Sequence, residues 1–307
     1  MKVLSKEFEV LHEVLKLSHH NFKRSYDYLK WCFKDVDFKN KTVLDIGGGN
    51  GIYSFYSRSQ GASSALNLEP FGAGSKDSDS HKHVISNSLS IKFDQRTIQE
   101  YDDSQKFDII ILHDSINHLN EELFTRIHKD SKALEEYKKL VNKISDLLDE
   151  RGVIIVTDCG RKNFWPMLGL KSPFAPNIEW NLHQSPKMTV NLFKGTGSKY
   201  IYSLRWSPFK RFDSFGRILS SLGFLPSFFM QSHFNLLLKK KSNPFITSGI
   251  GQAHDGSIGI ANSFIDALAD TGVDAIKFQV HIADAESSIH EKFRTNFSYQ
   301  DKTRFDY

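Results

Sequence analysis

The chain has 307 residues, 39% hydrophobic and 25% charged, with 40 Lys and Arg against 36 Asp and Glu for a formal net charge of +4. That composition fits a soluble globular protein with one large domain or two smaller ones. The small, dispersed basic excess does not imply a nucleic-acid binder.

The N-terminal stretch MKVLSKEFEVLHEVLK carries charges in every turn, unlike a secretory signal. Over residues 6–35 the positions Phe8, Leu11, Val14, Leu15, Phe22, Tyr26, Leu29 and Phe33 recur at helical spacing, which predicts one or two helices packed over the domain. His19 and His20, within that stretch, read as a solvated or packing pair. From Lys41 the pattern becomes strand–helix alternation. KTVLDI (41–46), SALNLE (64–69), FDIIIL (107–112) and GVIIVTD (152–158) are short apolar runs. Runs of that kind are strands buried on both faces, hence a parallel sheet covered by helices. Residues 72–90 are rich in Gly, Ser and Asp and read as loop. Residues 121–149 predict a long helix whose stripe is Leu134, Tyr137, Leu140, Val141, Ile144, Leu147 and Leu148. Residues 214–222 predict a helix ended by Gly223, and 227–240 a closing antiparallel hairpin or strand pair. A linker at 239–244 leads to a last unit. There ITSGIGQAHDGS (246–257) reads as a strand running into a turn and helix cap, and TGVDAIKFQV (271–280) as a helix end and a buried strand. The expected domains are 1–240 and 241–307.

Cys32 and Cys159, the two cysteines, suit a reducing cytoplasm and not a disulfide framework. The 13 histidines show no paired spacing on one element, so no metal site is expected. No stretch approaches the ~18 apolar residues of a membrane span.

The most informative stretch is LDIGGGNGIYS (44–54). A strand ends at Asp45, Gly47, Gly49 and Gly51 follow at alternate positions, and a helix begins near Ile52. Glycine lets the backbone turn sharply and lets a ligand approach without a Cβ clash. The helix N-terminus offers free N–H groups and a positive dipole end to an anionic group. Glu69 closes the second strand, 18 residues after Gly51, where an acid can accept both hydroxyls of a ribose. A dinucleotide fingerprint fails, because its sixth position is Ile52 and not glycine. The bland alternative is a Gly-rich turn that binds nothing.

The acid-x-G-x-G-x-G order of Asp45–Gly51 resembles motif I of the class I S-adenosylmethionine-dependent methyltransferases. FDIIILHDSINHL (107–119) is similar to that family's fourth-strand motif and RGVIIVTDCG (151–160) to its post-strand motif, so the resemblance spans about residues 30–240. It implies a Rossmann-like α/β sheet with helices on both faces and S-adenosyl-L-methionine as cofactor. It further implies that Gly47, Gly49 and Gly51 pass under the methionine and ribose, and that Asp45 orients the loop or hydrogen-bonds the amino-acid part. Glu69 would hold the ribose hydroxyls. Ile98, with Thr97 or Gln99, would flank the adenine, and His113 and Asp114 would face the methionine carboxylate and the transferred methyl.

Methyl transfer asks mainly for in-line alignment, but an oxygen acceptor also needs a group to take its proton. His118, just past the fourth strand, and His183, in EWNLHQSP (179–186), are the candidates. A lone histidine is more often structural, yet ligands of such sheets bind beyond the C-terminal strand ends. Residues 158–186 combine Arg161, Asn163, Trp165, Trp180, His183 and Gln184 with prolines. Two readings stand side by side there: a sugar-binding loop, resembling loops of bacterial methyltransferases encoded near surface-sugar genes, or a packed aromatic loop.

Residues 244–287, with IGQAHDGS and TGVDAIKFQ, resemble the start of the sialic-acid synthase family, which condenses phosphoenolpyruvate with an N-acetylated sugar in a (β/α)8 barrel. Lys277 and Gln279 match phosphoenolpyruvate-contacting positions, whereas Gly249 stands where that family has an acid. About two of the eight strands of such a barrel are present, so the tail is expected to be an incomplete βαβ fragment. The expectation for the whole is a cytoplasmic methyltransferase acting on an oxygen of a small molecule, a sugar or nucleotide-sugar, in surface-glycan biosynthesis. No nucleic-acid or membrane partner is expected. The rivals are a sialic-acid synthase present only as its beginning and a cofactor-binding protein without catalysis.

Overall fold

The computed structural model describes residue 11 and residues 22–70, 91–207, 214–241, 246–269, 271–280 and 282. The chain divides into two compact units, Met1–Ser242 and Asn243–Tyr307. His19, His20 and the 72–90 loop lie outside the described residues.

The first unit runs α1 (Phe22–Cys32), β1 (Thr42–Ile46), α2 (Ile52–Ser59), β2 (Ser64–Leu68), β3 (Ile91–Asp94), β4 (Phe107–His113), α3 (Glu121–Arg126), α4 (Ser131–Leu147), β5 (Leu148–Cys159), α5 (Phe164–Met167), α6 (Pro186–Lys194), β6 (Tyr200–Ser207), α7 (Ser214–Ser221), α8 (Phe224–Phe229) and β7 (His233–Lys240). Its sheet has seven strands in the order β3-β2-β1-β4-β5-β7-β6. Strands β1 to β5 pair parallel, and β7 pairs antiparallel with both β5 and β6. This is the doubly wound Rossmann-like order with one strand slotted between the last two.

Alternate residues of the central strands feed two separate cores. Leu44, Ile110, Leu112, Ile154, Val156 and Leu236 join Tyr137, Val141 and Ile144 of α4 on one face. Val43, Ile109, Ile111, Ile155 and Leu237 join Leu29 of α1, Phe33 just after it and Phe55 of α2 on the other. Both faces are covered, which is why these strands read as unbroken apolar runs.

Two expectations are corrected here, and two strands are added. The stretch 121–149 is two helices and the start of β5. Asn120 caps α3 by accepting from Leu123 N at 3.1 Å, and Asp130 caps α4 by accepting from Lys132 N at 2.9 Å. Two caps ten residues apart break one helix into two, and Leu148 opens β5 in place of closing the helical stripe. Residues 227–240 hold one strand, not a hairpin: 224–229 is helical, and β7 finds its partners in β5 and in β6. The sequence reading passed over β3, which is four residues long, and β6, an edge strand whose Ile201 and Tyr202 are exposed.

The second unit contains β8 (Thr247–Gly251), α9 (Ile258–Ala269) and β9 (Ala275–Phe278), with β8 and β9 paired parallel. The strand–helix–strand expectation holds, but β9 is not buried: Ala275, Ile276 and Phe278 are half-buried and Lys277 is exposed. No residue of α9 is buried, and Ile258 is 79% exposed.

Candidate active site

In this sheet the strand order reverses between β1 and β4, and ligands of open α/β sheets bind beyond the C-terminal strand ends at such a point. The loop leaving β1 is shaped by its glycines. Gly47, Gly49 and Gly51 have φ of 67°, 54° and 81°, the left-handed region that β-carbons disfavour. Gly48, which the alternating motif skips, is required for a different reason: a Cβ there would lie 2.5 Å from the Asp45 carboxyl and 2.7 Å from Asn67 Nδ2. The clue in the sequence was the unbroken Gly47–Gly48–Gly49 run. A Cβ at Gly47 would strike that of Ser115 at 2.6 Å, so this loop lies directly against the loop after β4. Ser115 Oγ fastens the contact by donating to Ile46 O at 2.7 Å.

Asp45 is fully buried, and its Oδ2 accepts from the backbone N–H of Ser54 at 3.1 Å and the Ser54 hydroxyl at 2.8 Å. It therefore ties β1 to the first turn of α2. Burial pushes its carboxyl up to about 7, partly offset by the Ser54 bonds and reinforced by the nearby Glu69 charge. Its Oδ1 and both amide atoms of Asn67, the β2 residue in register with Asp45, have no hydrogen-bond partner among the described residues. Glu69, at the end of β2, accepts from Gly49 N at 2.9 Å. A Cβ at Gly49 would meet nothing within 4 Å.

The other expected cofactor positions fall as follows. Thr97 donates through its backbone N–H and its hydroxyl to Glu100 at 2.8 and 2.9 Å, and Gln99 Nε2 donates to Leu119 O at 2.6 Å. Ile98 is 2% exposed and belongs to the core. His113 turns towards α1 and α2: its ring stacks on Tyr53 at 4.1 Å, and the Tyr28 hydroxyl lies 2.7 Å from both His113 Nε2 and His233 Nε2. A hydroxyl has one proton, so Tyr28 donates to one imidazole and accepts from the other. Asp114 follows with φ 50°, an unusual conformation for a non-glycine residue at the end of a strand. Its Oδ2 is 3.2 Å from His113 Nδ1.

The two candidate bases separate clearly. His118 is exposed, its Nδ1 meets Glu121 Oε1, and its Nε2 accepts from Asn117 Nδ2 at 3.3 Å. His183 follows the short 3-10 turn Trp180–Leu182 and places Nδ1 2.8 Å from Asp158 Oδ1, at the C-terminal end of β5. Asp158 is 1% exposed, and burial raises its carboxyl above the ordinary range against the opposing pull of His183. Arg161 holds the His183 loop by donating to Asn181 O at 2.8 Å and His183 O at 3.3 Å, and Gln184 Nε2 anchors it to Phe124 O at 2.5 Å. Asp158 carried no role in the sequence reading; the strand-terminal position of VTD was the available signal. Cys32 and Cys159 are buried and free, and burial pushes the Cys32 thiol up to about 12. Among the described residues no group of three or more His, Cys, Asp or Glu is arranged to hold a metal.

The glycine loop, its contact with the β4 loop, and the acid at the end of β2 lie together at the C-terminal strand ends of a Rossmann-like sheet. A methyltransferase domain family model matches residues 16–201, and the chain belongs to that family. It is an enzyme, an S-adenosylmethionine-dependent methyltransferase. No curated protein sequence matches the chain significantly. Matching solved structures include an S-adenosylmethionine-dependent methyltransferase from Mesorhizobium loti (13% identity, 71% of this chain and 98% of that chain covered, TM-score 0.47). A second is the enzyme of that description from Aquifex aeolicus (10%, 75% and 97%, 0.48). A third is the N-methyltransferase NodS from Bradyrhizobium japonicum WM9 in complex with S-adenosyl-L-homocysteine (8%, 76% and 99%, 0.43). The residues present fit the cofactor: the Gly49 backbone is uncovered, and the buried Asp45 and Asn67 retain unused hydrogen-bonding atoms beside the loop.

Proposed function

We propose that the enzyme methylates an oxygen of a small hydroxylated acceptor, with His183 as the group that takes the acceptor proton. The His183–Asp158 pair carries this reading. With Nδ1–H donating to the buried Asp158 carboxylate, Nε2 keeps its lone pair for an acceptor hydroxyl, and the acid steadies the imidazolium that forms. His118 lacks that arrangement, since its Nε2 is already engaged by Asn117. S-adenosylmethionine supplies a methyl group already activated on a sulfonium. The chain's part is to hold it and to align the acceptor. Gly47, Gly49 and Gly51 would carry the methionine and ribose, Glu69 the ribose hydroxyls, and Ile98 with Thr97 or Gln99 would flank the adenine. Asp45 would orient the loop through its bonds to Ser54, and Asp114 would face the transferred methyl.

The acceptor class is read as a sugar or other polyhydroxylated molecule, in surface-glycan biosynthesis. The support is the polar and aromatic His183 loop together with the resemblance of residues 244–287 to the sialic-acid synthase family. The parallel β8–α9–β9 unit is what the opening strands of such a barrel would form. The test is transfer of labelled methyl from S-adenosylmethionine to free sugars, nucleotide-sugars and amine analogues across pH. Transfer to hydroxyl acceptors that is lost in His183→Gln is expected. Transfer to amines alone, or unaltered turnover in that variant, overturns the assignment.

A further inference from the structure

The C-terminal end of β5, which carries Asp158 and its partner His183, also adjoins an apolar surface that the site does not use. β5 ends into α5, and α8 leads into β7, so both segments stand at that end. They are held to each other: Phe164 and Phe229 have ring centroids 4.4 Å apart, Trp165 Nε1 donates to Phe229 O at 2.7 Å, and Gln231 Nε2 donates to Phe174 O at 3.2 Å. α8 also packs on α7. The packing satisfies backbone groups and leaves the apolar side chains outside. Met167 is 64% exposed and Leu225 65%, with Leu168, Leu170 and Leu222 also above half. Exposed apolar residues are ordinarily scattered, and a contiguous group marks an interaction surface.

The charged side chains within the apolar stretch itself are basic: residues 161–175 contain no Asp or Glu and contain Arg161, Lys162 and Lys171, with Glu179 the next acid along the chain. Lys162 and Lys171 are exposed. A two-fold pairing of this surface with a second copy would bring like charges together. Apolar tips and aromatic rings within a cationic rim complement a different partner, the boundary between anionic headgroups and acyl chains. No helix of the described residues is long and apolar enough to cross a membrane, so such a contact would lie on the surface. The absence of an apolar span in the sequence excludes a crossing, not a contact of this kind.

We propose that residues 164–175, together with α7 and α8, form a docking surface for an anionic phospholipid bilayer, which would bring the Asp158–His183 end of the sheet to the membrane face. The test is co-sedimentation of the full chain with vesicles of phosphatidylcholine alone and of phosphatidylcholine containing phosphatidylglycerol. Binding is expected to the anionic vesicles and to weaken with salt. Met167→Ser with Leu225→Ser should lower it about tenfold or more, and Lys162→Glu with Lys171→Glu should lower it on anionic vesicles. All four positions are exposed, so unchanged circular dichroism is expected of both variants. Ile258→Ser, in the second unit, should leave binding unchanged. Absence of binding, equal binding to neutral vesicles, or binding that only Ile258→Ser reduces overturns the proposal. So does a concentration-dependent dimer that Met167→Ser with Leu225→Ser dissociates, which would assign the surface to a second copy.

Discussion

His183 and Asp158 meet at 2.8 Å across 25 residues of sequence, and the loop that brings them together is pinned by Arg161 and Gln184. If this pair takes the acceptor proton, His183→Gln lowers turnover by roughly 10²-fold or more with little change in cofactor affinity. Asp158→Asn, which removes the acid but keeps the shape, should cost less in turnover than His183→Gln, because the imidazole is left in place without its orienting partner. Steady-state kinetics with calorimetry on the same variants separates the two effects. Full activity in His183→Gln removes it from the mechanism.

Glu69 accepts from the Gly49 amide, so it braces the loop from the end of β2. Glu69→Ala is expected to weaken S-adenosylhomocysteine binding by about 1–3 kcal/mol through loss of charge-assisted hydrogen bonds. Titration calorimetry measures it, and an unchanged dissociation constant would show that this acid does not hold the ligand.

Asp45 makes stability depend on pH in a stated direction. Its carboxyl is raised from 3.8 to about 7 by burial, so between those values the folded chain binds more protons than the unfolded one. This contribution is full at low pH and is lost as pH rises through about 7. Asp45→Asn cannot ionise, so its denaturation midpoint should fall less between pH 5 and pH 8 than that of the native chain. At pH 8 the variant should gain on the order of 1–3 kcal/mol relative to its deficit at pH 5. Parallel pH profiles for the two proteins would show that Asp45 titrates normally.

Tyr28 joins α1 to β4 and β7 through His113 and His233. Tyr28→Phe leaves two buried imidazole nitrogens without this partner, at a cost of about 1–3 kcal/mol. Chemical denaturation gives the total, and hydrogen exchange should locate the added opening in α1. An unchanged midpoint would mean that water replaces the hydroxyl.

The division into units at Ser242 and Asn243, with no buried residue in α9, leads to a further expectation. A chain ending at Lys241 should stay folded and bind S-adenosylhomocysteine as well as the full chain, and it should be more soluble because Ile258 and the β8–β9 edges are gone. Loss of folding or of ligand in the shortened chain would make the second unit part of the first domain's stability.

The sequence by itself determined those features that a local pattern can encode. Buried central strands announce themselves as apolar runs because both faces are covered, so β1, β2, β4 and β5 were legible, as was the stripe of α4. The glycine loop was legible because left-handed backbone demands a residue type, and Glu69 followed from its place at a strand end. What only the tertiary structure decided depends on partners far away along the chain. β6 is an exposed edge strand whose identity comes from pairing with β7. β7 itself pairs with β5 through a register that places Cys159 opposite His233. Gly48 is dictated by the side chains of Asp45 and Asn67 and not by its own φ. His183 gains its Asp158 partner, and His113 its place beside Tyr28, only when the sheet closes. Periodicity reports burial one element at a time, whereas a hydrogen bond across 25 or 85 residues exists only once the elements have packed, because the free energy that orders it comes from the core it sits upon.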